Sequence, residues 1–285
     1  MAIGYLGPEG TFTHAAARQL CPGADLTPLG TQAQAIARVE DGTLDGAVVP
    51  VDNTVNGVVL PTWDALLSTT GTRIVADTLV QVTFDAFALS DDVVPEVVVS
   101  HPHALAQCAR YVASLGVPTR AASSTAEACA SLAPGEIAIA APVCAELYPV
   151  ARVATRVEDG AGATTHFGLV AREDRSTGSE RWTSVFAALP ARNVPGSLAA
   201  LLAPVAELGC NLENIVARPV RGTSDYVFLL FVADVDAARE ERLTEALGSH
   251  STSVSLLGRL ALSKPGDPQD GASSGVPVRL AGGTA

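Results

Sequence analysis

The chain has 285 residues, 48% of them hydrophobic, 17% charged and 5% aromatic. That is enough apolar content for two domains with cores of their own, and it excludes a mainly disordered protein. Eighteen Lys+Arg against thirty Asp+Glu give a formal net charge of -12, so the basic field that non-specific nucleic-acid binding needs is missing. No uninterrupted apolar run reaches the roughly eighteen residues of a membrane span. The opening MAIGYLGPEG lacks the basic, apolar and cleavage regions of a secretory leader, so a cytoplasmic protein beginning near Met1 is expected.

In chain order, AIGYLG predicts a strand that ends in the turn Gly7-Pro8-Glu9-Gly10. An Ala-rich helix over 14–20 follows, with Thr11 or Thr13 as its N-cap. A second helix is expected over 31–39, closed by Asp41-Gly42, and a buried strand over 46–51. Further strands are expected at 81–89, 96–100 and 136–140, and helices at 104–114 and 126–132. Short Val/Ile/Ala runs alternating with helical patterns indicate an α/β architecture with mainly parallel sheets. Residues 160–168, rich in glycine, read as a loop before a strand at 169–171.

The segment AREDRSTGSER then breaks the apolar pattern and reads as a linker. Beyond it come a strand at 183–189, a helix at 196–209, strands at 215–220 and 226–233, a helix at 237–247 and a strand at 254–260. The order βαββαβ is the ferredoxin-like plan. The Gly/Pro/Ser-rich remainder has little to bury and is expected to be disordered. The expected divisions are 1–172, a linker at 173–182, a second domain at 183–263, and a tail at 264–285.

Four segments follow a predicted strand or open a predicted helix: Gly7 to Thr11, Asp52-Asn53-Thr54, Ser100-His101-Pro102 and Ser123-Ser124-Thr125. Strand ends in open α/β sheets and free N–H groups at helix starts favour small anions. Four such segments in one domain therefore point to an anionic ligand. No P-loop or GxGxxG is present. The 160–168 segment, with Thr164, Thr165 and His166, can be a substrate loop or a plain turn. Five cysteines (Cys21, Cys108, Cys129, Cys144, Cys210) stand far apart without a CxxC, an odd count that makes a poor disulfide framework. His101 and His103 flank a proline with no carboxylate cluster, so no metal site is expected.

Five motifs together resemble prephenate dehydratases carrying a C-terminal ACT domain. GYLGPEGTFTHAAA resembles that family's opening motif, VPVDNTVNGVV its PIENSxxGxV segment and SHPHALAQC its SHPxAxxQC segment. EDGAGATTHFGLVA stands where the family has TRF, and NVPGSLAALLAPVAELGCNLENIVARP where it has GAL and ESRP. The resemblance runs over about residues 3 to 262. It implies an α/β, two-lobed catalytic domain like a periplasmic binding protein, with chain crossovers near 75–80 and 150–155 and an active site in the cleft. A ferredoxin-like ACT domain would follow, pairing across subunits in a homodimer or homotetramer. It also implies prephenate as substrate, with no cofactor, no metal, and neither nucleic acid nor membrane as partner.

Carried over by position, the resemblance makes Thr165 the proton donor to the departing ring hydroxyl. It implies that Asn53 and Gln107 hold polar groups of the substrate and that Ser100, His101 and Thr125 line the cleft. Thr11, Thr54 and Phe167, from the same motifs, are implied as further substrate contacts. Gly196, Leu198, Arg218 and Pro219 stand in the effector motifs. The chain departs from the family where the TRF arginine is His166, and where ESRP reads Val216-Ala217-Arg218-Pro219, which removes polar groups from the implied phenylalanine site. Arginine is a permanent bidentate partner for a carboxylate and histidine is not. These changes suggest a relative that decarboxylates prephenate without aromatising it, in specialised metabolism such as antibiotic or non-proteinogenic amino acid biosynthesis, with His166 as a second catalytic residue. The alternative is ordinary dehydration to phenylpyruvate in L-phenylalanine biosynthesis, for which Thr165 is suited. A non-catalytic small-molecule sensor is the third reading. Chorismate mutase activity is not expected, since no further helical domain flanks the matched region.

Overall fold

The computed structural model describes residues 1–160, 163–172 and 181–261. The expected tail and all but the last two residues of the expected linker lie outside these. The chain begins with β1 (Ala2–Leu6), α1 (Phe12–Leu20), β2 (Asp25–Leu29), α2 (Gln32–Glu40), β3 (Gly46–Asn53), β4 (Gly57–Val58), α3 (Leu60–Leu66) and β5 (Arg73–Gln81). Over 82–84 it crosses to a second sheet. There it forms β6 (Asp85–Ala88), β7 (Val97–Ser100), α4 (Pro102–Gln107), α5 (Ala109–Leu115), β8 (Thr119–Ala121), α6 (Thr125–Ala130), β9 (Glu136–Ala140), α7 (Cys144–Leu147) and β10 (Ala151–Ala154). After β10 it re-enters the first sheet as β11 (Thr164–Ala171). Both crossings fall a few residues beyond the expected 75–80 and 150–155. The C-terminal unit is β12 (Trp182–Pro190), α8 (Ser197–Glu207), β13 (Asn211–Pro219), β14 (Tyr226–Val235), α9 (Ala237–Ser249) and β15 (Ser251–Leu260), the βαββαβ order expected from its pattern.

Local sequence explains the first elements. Thr11 caps α1 by accepting the His14 N–H, and Thr31 caps α2 by accepting that of Gln34. The Gln34 side chain reaches back to the Gly30 N–H at 3.1 Å, a reciprocal cap. β1 and β3 are buried through their centres, as inner strands covered on both faces are.

The strands pair in the order β13-β14-β12-β15-β5-β11-β3-β1-β2, with β4 beside β3, and the second sheet runs β10-β6-β9-β7-β8. β1 is parallel to β2 and β3, and β7 to β8 and β9. The strands next to the crossings, β11 beside β3 and β5 and β6 beside β9 and β10, run antiparallel. The first lobe and the C-terminal unit thus share one sheet, joined where Gly258 of β15 meets Ile74 of β5. They also share a core. Trp63 and Leu66 of α3, Ile36 of α2 and Ile74 cluster with Val185, Leu229, Phe231 and Leu257. Trp63 meets the Phe231 ring edge-on at 5.2 Å and donates its indole N–H to the Val51 carbonyl.

Several expected elements differ. The strand expected at 81–89 is split, because 82–84 carry the chain between sheets and the Phe84 N–H goes to Glu158 instead of a ladder partner. The helix expected at 104–114 is broken at Cys108, whose φ of -117° and ψ of 27° leave helical geometry. The loop expected at 160–168 is strand from Thr164 onward, paired on both sides. β2 contains Pro28 but runs at the edge of the sheet, where a missing N–H is tolerated. Pro61 in the first turn of α3 likewise starts a helix instead of breaking one.

Candidate functional site

In the first lobe β3 and β1 end where the antiparallel β11 begins, so Asn53 and Thr165 stand opposite each other in register. The Asn53 carboxamide oxygen accepts the N–H groups of Val55 and Asn56 at 2.9 and 3.1 Å. That fixes which end of the amide faces the strand: Nδ2 donates to Thr165 Oγ1 at 2.8 Å. Thr165 is therefore an acceptor from Asn53, and no described residue accepts its own proton. Thr165 is 9% exposed, its hydroxyl held in place with one donor direction left over.

The second lobe presents the carboxyl ends of β7, β8 and β9. Gly10 lies against α6 and α7 at this seam. A methyl placed on it would stand 3.2 Å from Ala126 Cβ, Cys144 Sγ and the Tyr148 ring. Tyr148 donates its hydroxyl to the Glu9 carbonyl at 2.9 Å, and Phe12 meets Phe84 edge-on at 5.6 Å. The Gly7 to Thr11 loop and the Ser124-Thr125 helix start, two of the expected ligand segments, are thus brought together across the two lobes. The carboxyl ends of strands in open α/β sheets are where small ligands bind.

The remaining expected site residues divide by what their side chains already do. Thr125 opens α6 half-buried, with Ser124 as the cap. His101 caps α4, its Nδ1 accepting the His103 N–H at 3.2 Å, and Gln107 ends α4 with its carbonyl accepting the Asp159 N–H. Thr11 donates to the Pro8 carbonyl while capping α1, and Thr54 Oγ1 accepts the Thr164 N–H at 2.9 Å. Both hydroxyls hold loops. Ser100 is fully buried and donates to the Ile139 carbonyl at 2.6 Å, so it ties β7 to β9 and does not reach a ligand. Phe167 packs with Tyr5, Ala16 and Val48 in the core under α1, which removes it from the expected substrate contacts.

His166 is the main correction. Neighbouring strand residues point to opposite faces, and Thr165 and Phe167 take the α1 side. His166 takes the other and contacts the Asp77 carboxylate of β5 through Nε2, with both side chains less than one-tenth exposed. Asp52, across from it on β3, has its carboxyl pushed up by burial, an effect the His166 charge tempers. Asp77 also accepts the backbone N–H of Ala261 at 3.0 and 3.1 Å. The imidazole lies between two carboxylates beneath the sheet, away from the face that carries Thr165. Asp77 escaped sequence reading because the strand that holds it was not recognised.

His14 was missed for another reason, since it looked like an ordinary helix-start residue. It is buried, stacked on Tyr5 at 5.1 Å, and its Nδ1 accepts the Gly10 N–H at 3.2 Å. Burial lowers its pKa, with Glu9 opposing and Arg18 adding to the shift. A cavity of about 560 Å³ opens beside it between α1 and α7, bordered by Arg18 and Glu146, which pair at 3.0 Å.

In the C-terminal unit Gly196 and Leu198 line a cavity of about 280 Å³ with Asn193, Ser197, Asp225 and Tyr226. Arg218, expected in the effector site, instead reaches Asp64 of α3 with two hydrogen bonds of 2.6 and 2.5 Å. Pro219 pairs with Tyr226 at the end of β13. Among the described residues no group of three or more His, Cys, Asp or Glu could hold a metal ion. Nor is any described helix long and apolar enough to cross a membrane.

Comparison with known proteins gives two family matches: prephenate dehydratase over residues 3–175 and the ACT domain over 191–250. A prephenate dehydratase of Amycolatopsis methanolica is 38% identical over 257 residues, covering 87% of this chain and 83% of its own. A solved structure of prephenate dehydratase from Arthrobacter aurescens, in complex with L-Phe, is 31% identical with a TM-score of 0.83, covering 92% and 90% of the two chains. GqqA, described as a novel type of quorum quenching acylase, is 26% identical with a TM-score of 0.79, covering 93% of this chain and all of its own.

Proposed function

The chain belongs to the prephenate dehydratase family with a C-terminal ACT domain, and on that footing we propose that it converts prephenate to phenylpyruvate. The observation that carries this reading is the Thr165 hydroxyl, fixed by Asn53 with its proton uncommitted. In the reaction the bond from the ring to its carboxylate breaks and releases carbon dioxide. Its electron pair enters the ring as the C4–O bond breaks, and the leaving oxygen takes a proton to depart as water. Thr165 supplies that proton. The charge left on Oγ1 falls where Asn53 Nδ2 already donates, a donor placed before the charge develops. The favourable step is aromatisation, so a weak acid in the right place is sufficient.

Non-aromatising decarboxylation loses one of its two grounds with the position of His166. Proton delivery to the ring by His166 is disfavoured, since this imidazole is engaged by Asp77 on the opposite face; the other ground is the loss of the family's arginine itself. His166 gives the buried Asp77 carboxylate a partner, a structural role that leaves the acid step to Thr165. Supporting the rest of the proposal, β13 is a nine-residue strand paired only with β14 among the described strands. It is a free edge through which C-terminal units of two copies can associate in a cytoplasmic homo-oligomer.

Thr165→Val and Thr165→Ser test the proton donor. The valine variant keeps shape and loses about 10²–10⁴-fold in kcat with KM for prephenate little changed, while serine retains most of the rate. A valine variant as fast as the wild type removes Thr165 from the chemistry.

A further inference from the structure

We propose that Asp77 is a positioning residue through which the C-terminal unit controls the placement of Thr165; this rests on the dehydratase reading of Thr165. In the sheet, β5 lies between β15 of the C-terminal unit and β11 of the catalytic lobe. Asp77 is a side chain on β5 that bonds to both sides. On one side its carboxylate accepts the N–H of Ala261, the first residue after β15. On the other it holds His166, the residue next to Thr165. A carboxylate only 7% exposed depends on such partners, because a buried charge without them is costly.

The linkage reaches both strands of the site. His166 also faces Asp52, which precedes Asn53 on β3. A shift of His166 therefore disturbs the 2.8 Å contact of Asn53 with Thr165 from both sides. The C-terminal unit is held to the catalytic lobe elsewhere as well, by Arg218 on Asp64, Gly258 against Ile74 and the shared core in which Trp63 meets Phe231. Ile74 pairs in turn with Val170 of β11, five residues from Thr165, whereas Asp77 holds the residue adjacent to it. Movement of the unit reaches Thr165 most directly through Asp77, and a displacement of about 1 Å at a reacting group is worth about 10²-fold in rate. The C-terminal unit thus regulates kcat by where its last strand ends.

The test is made on the full chain with Ala261→Pro, which deletes the N–H and leaves the catalytic lobe unaltered, alone and combined with Asp77→Asn. Ala261→Pro is expected to lower kcat about tenfold with KM for prephenate within about twofold. Ala261→Gly, which keeps the N–H, recovers the rate. The double variant is expected to be no slower than Asp77→Asn, because both changes cut one connection. The His166 ring ¹⁵N resonances, assigned with His166→Arg, shift in Ala261→Pro. Wild-type kcat in Ala261→Pro, effects that multiply in the double variant, or unmoved His166 resonances would each overturn the inference while the wild type still forms phenylpyruvate. A wild type that forms none overturns the dehydratase reading and this inference together.

Discussion

At His14 a buried imidazole is kept neutral by its surroundings, and its titration is a property of the fold. Burial is the main cause of its lowered pKa, with Glu9 working the other way. The unfolded chain titrates near the ordinary value of about 6.5, so between the two values the unfolded state binds more protons. Stability therefore rises with pH through that window, is fully present above about 6.5, and is lost as pH falls towards the folded-state value. Urea unfolding from pH 7 downward is expected to show this loss in the wild type and a flatter slope in His14→Gln. Equal slopes would show that His14 is not protonated on unfolding. Thr165 and Asn53 could be read from their motifs. Asp77 and the placement of His166 could not, because strand alternation decides which of two adjacent side chains faces the ligand and residues 164–168 read as a loop.

Among the elements, β15 and β5 show how closely two domains can be joined. A methyl on Gly258 would stand 2.5 Å from Ile74 Cβ and 3.1 Å from its backbone nitrogen. Neither is the far end of a flexible side chain, so the strands must separate to admit it. Gly258→Ala is expected to destabilise the chain by about 1–3 kcal/mol in denaturant unfolding, as overpacking does; a change below about 0.5 kcal/mol would mean the junction yields freely. β1, β3 and the first two helices were legible, since apolar runs and the caps Thr11 and Thr31 mark them locally, and so was the βαββαβ order of the C-terminal unit. β2 and α3 were not, because a proline reads as a breaker until its place at an edge or first turn is known. The broken helix at Cys108 and the split at 82–84 answer to tertiary demands that no short window of sequence contains.

For the whole molecule, the boundary between catalytic and C-terminal parts is clear along the chain yet absent from the core. Trp63 and Ile74 pack with Leu229 and Phe231 in one cluster, and one sheet runs through both parts. Composition revealed the two units through the charged segment between them. That they share a sheet was not visible, because the single Gly258 to Ile74 pairing leaves no periodic trace. This continuity is the route by which the proposed coupling through Asp77 would run. The central claim is the outcome at the ring, where Thr165 acts and His166 does not. Proton NMR of prephenate incubated with the purified protein tests it most directly. The account predicts phenylpyruvate, with its aromatic resonances, above the spontaneous background, and the same product from His166→Arg. A non-aromatic dihydro-4-hydroxyphenylpyruvate that retains the C4 hydroxyl would contradict it.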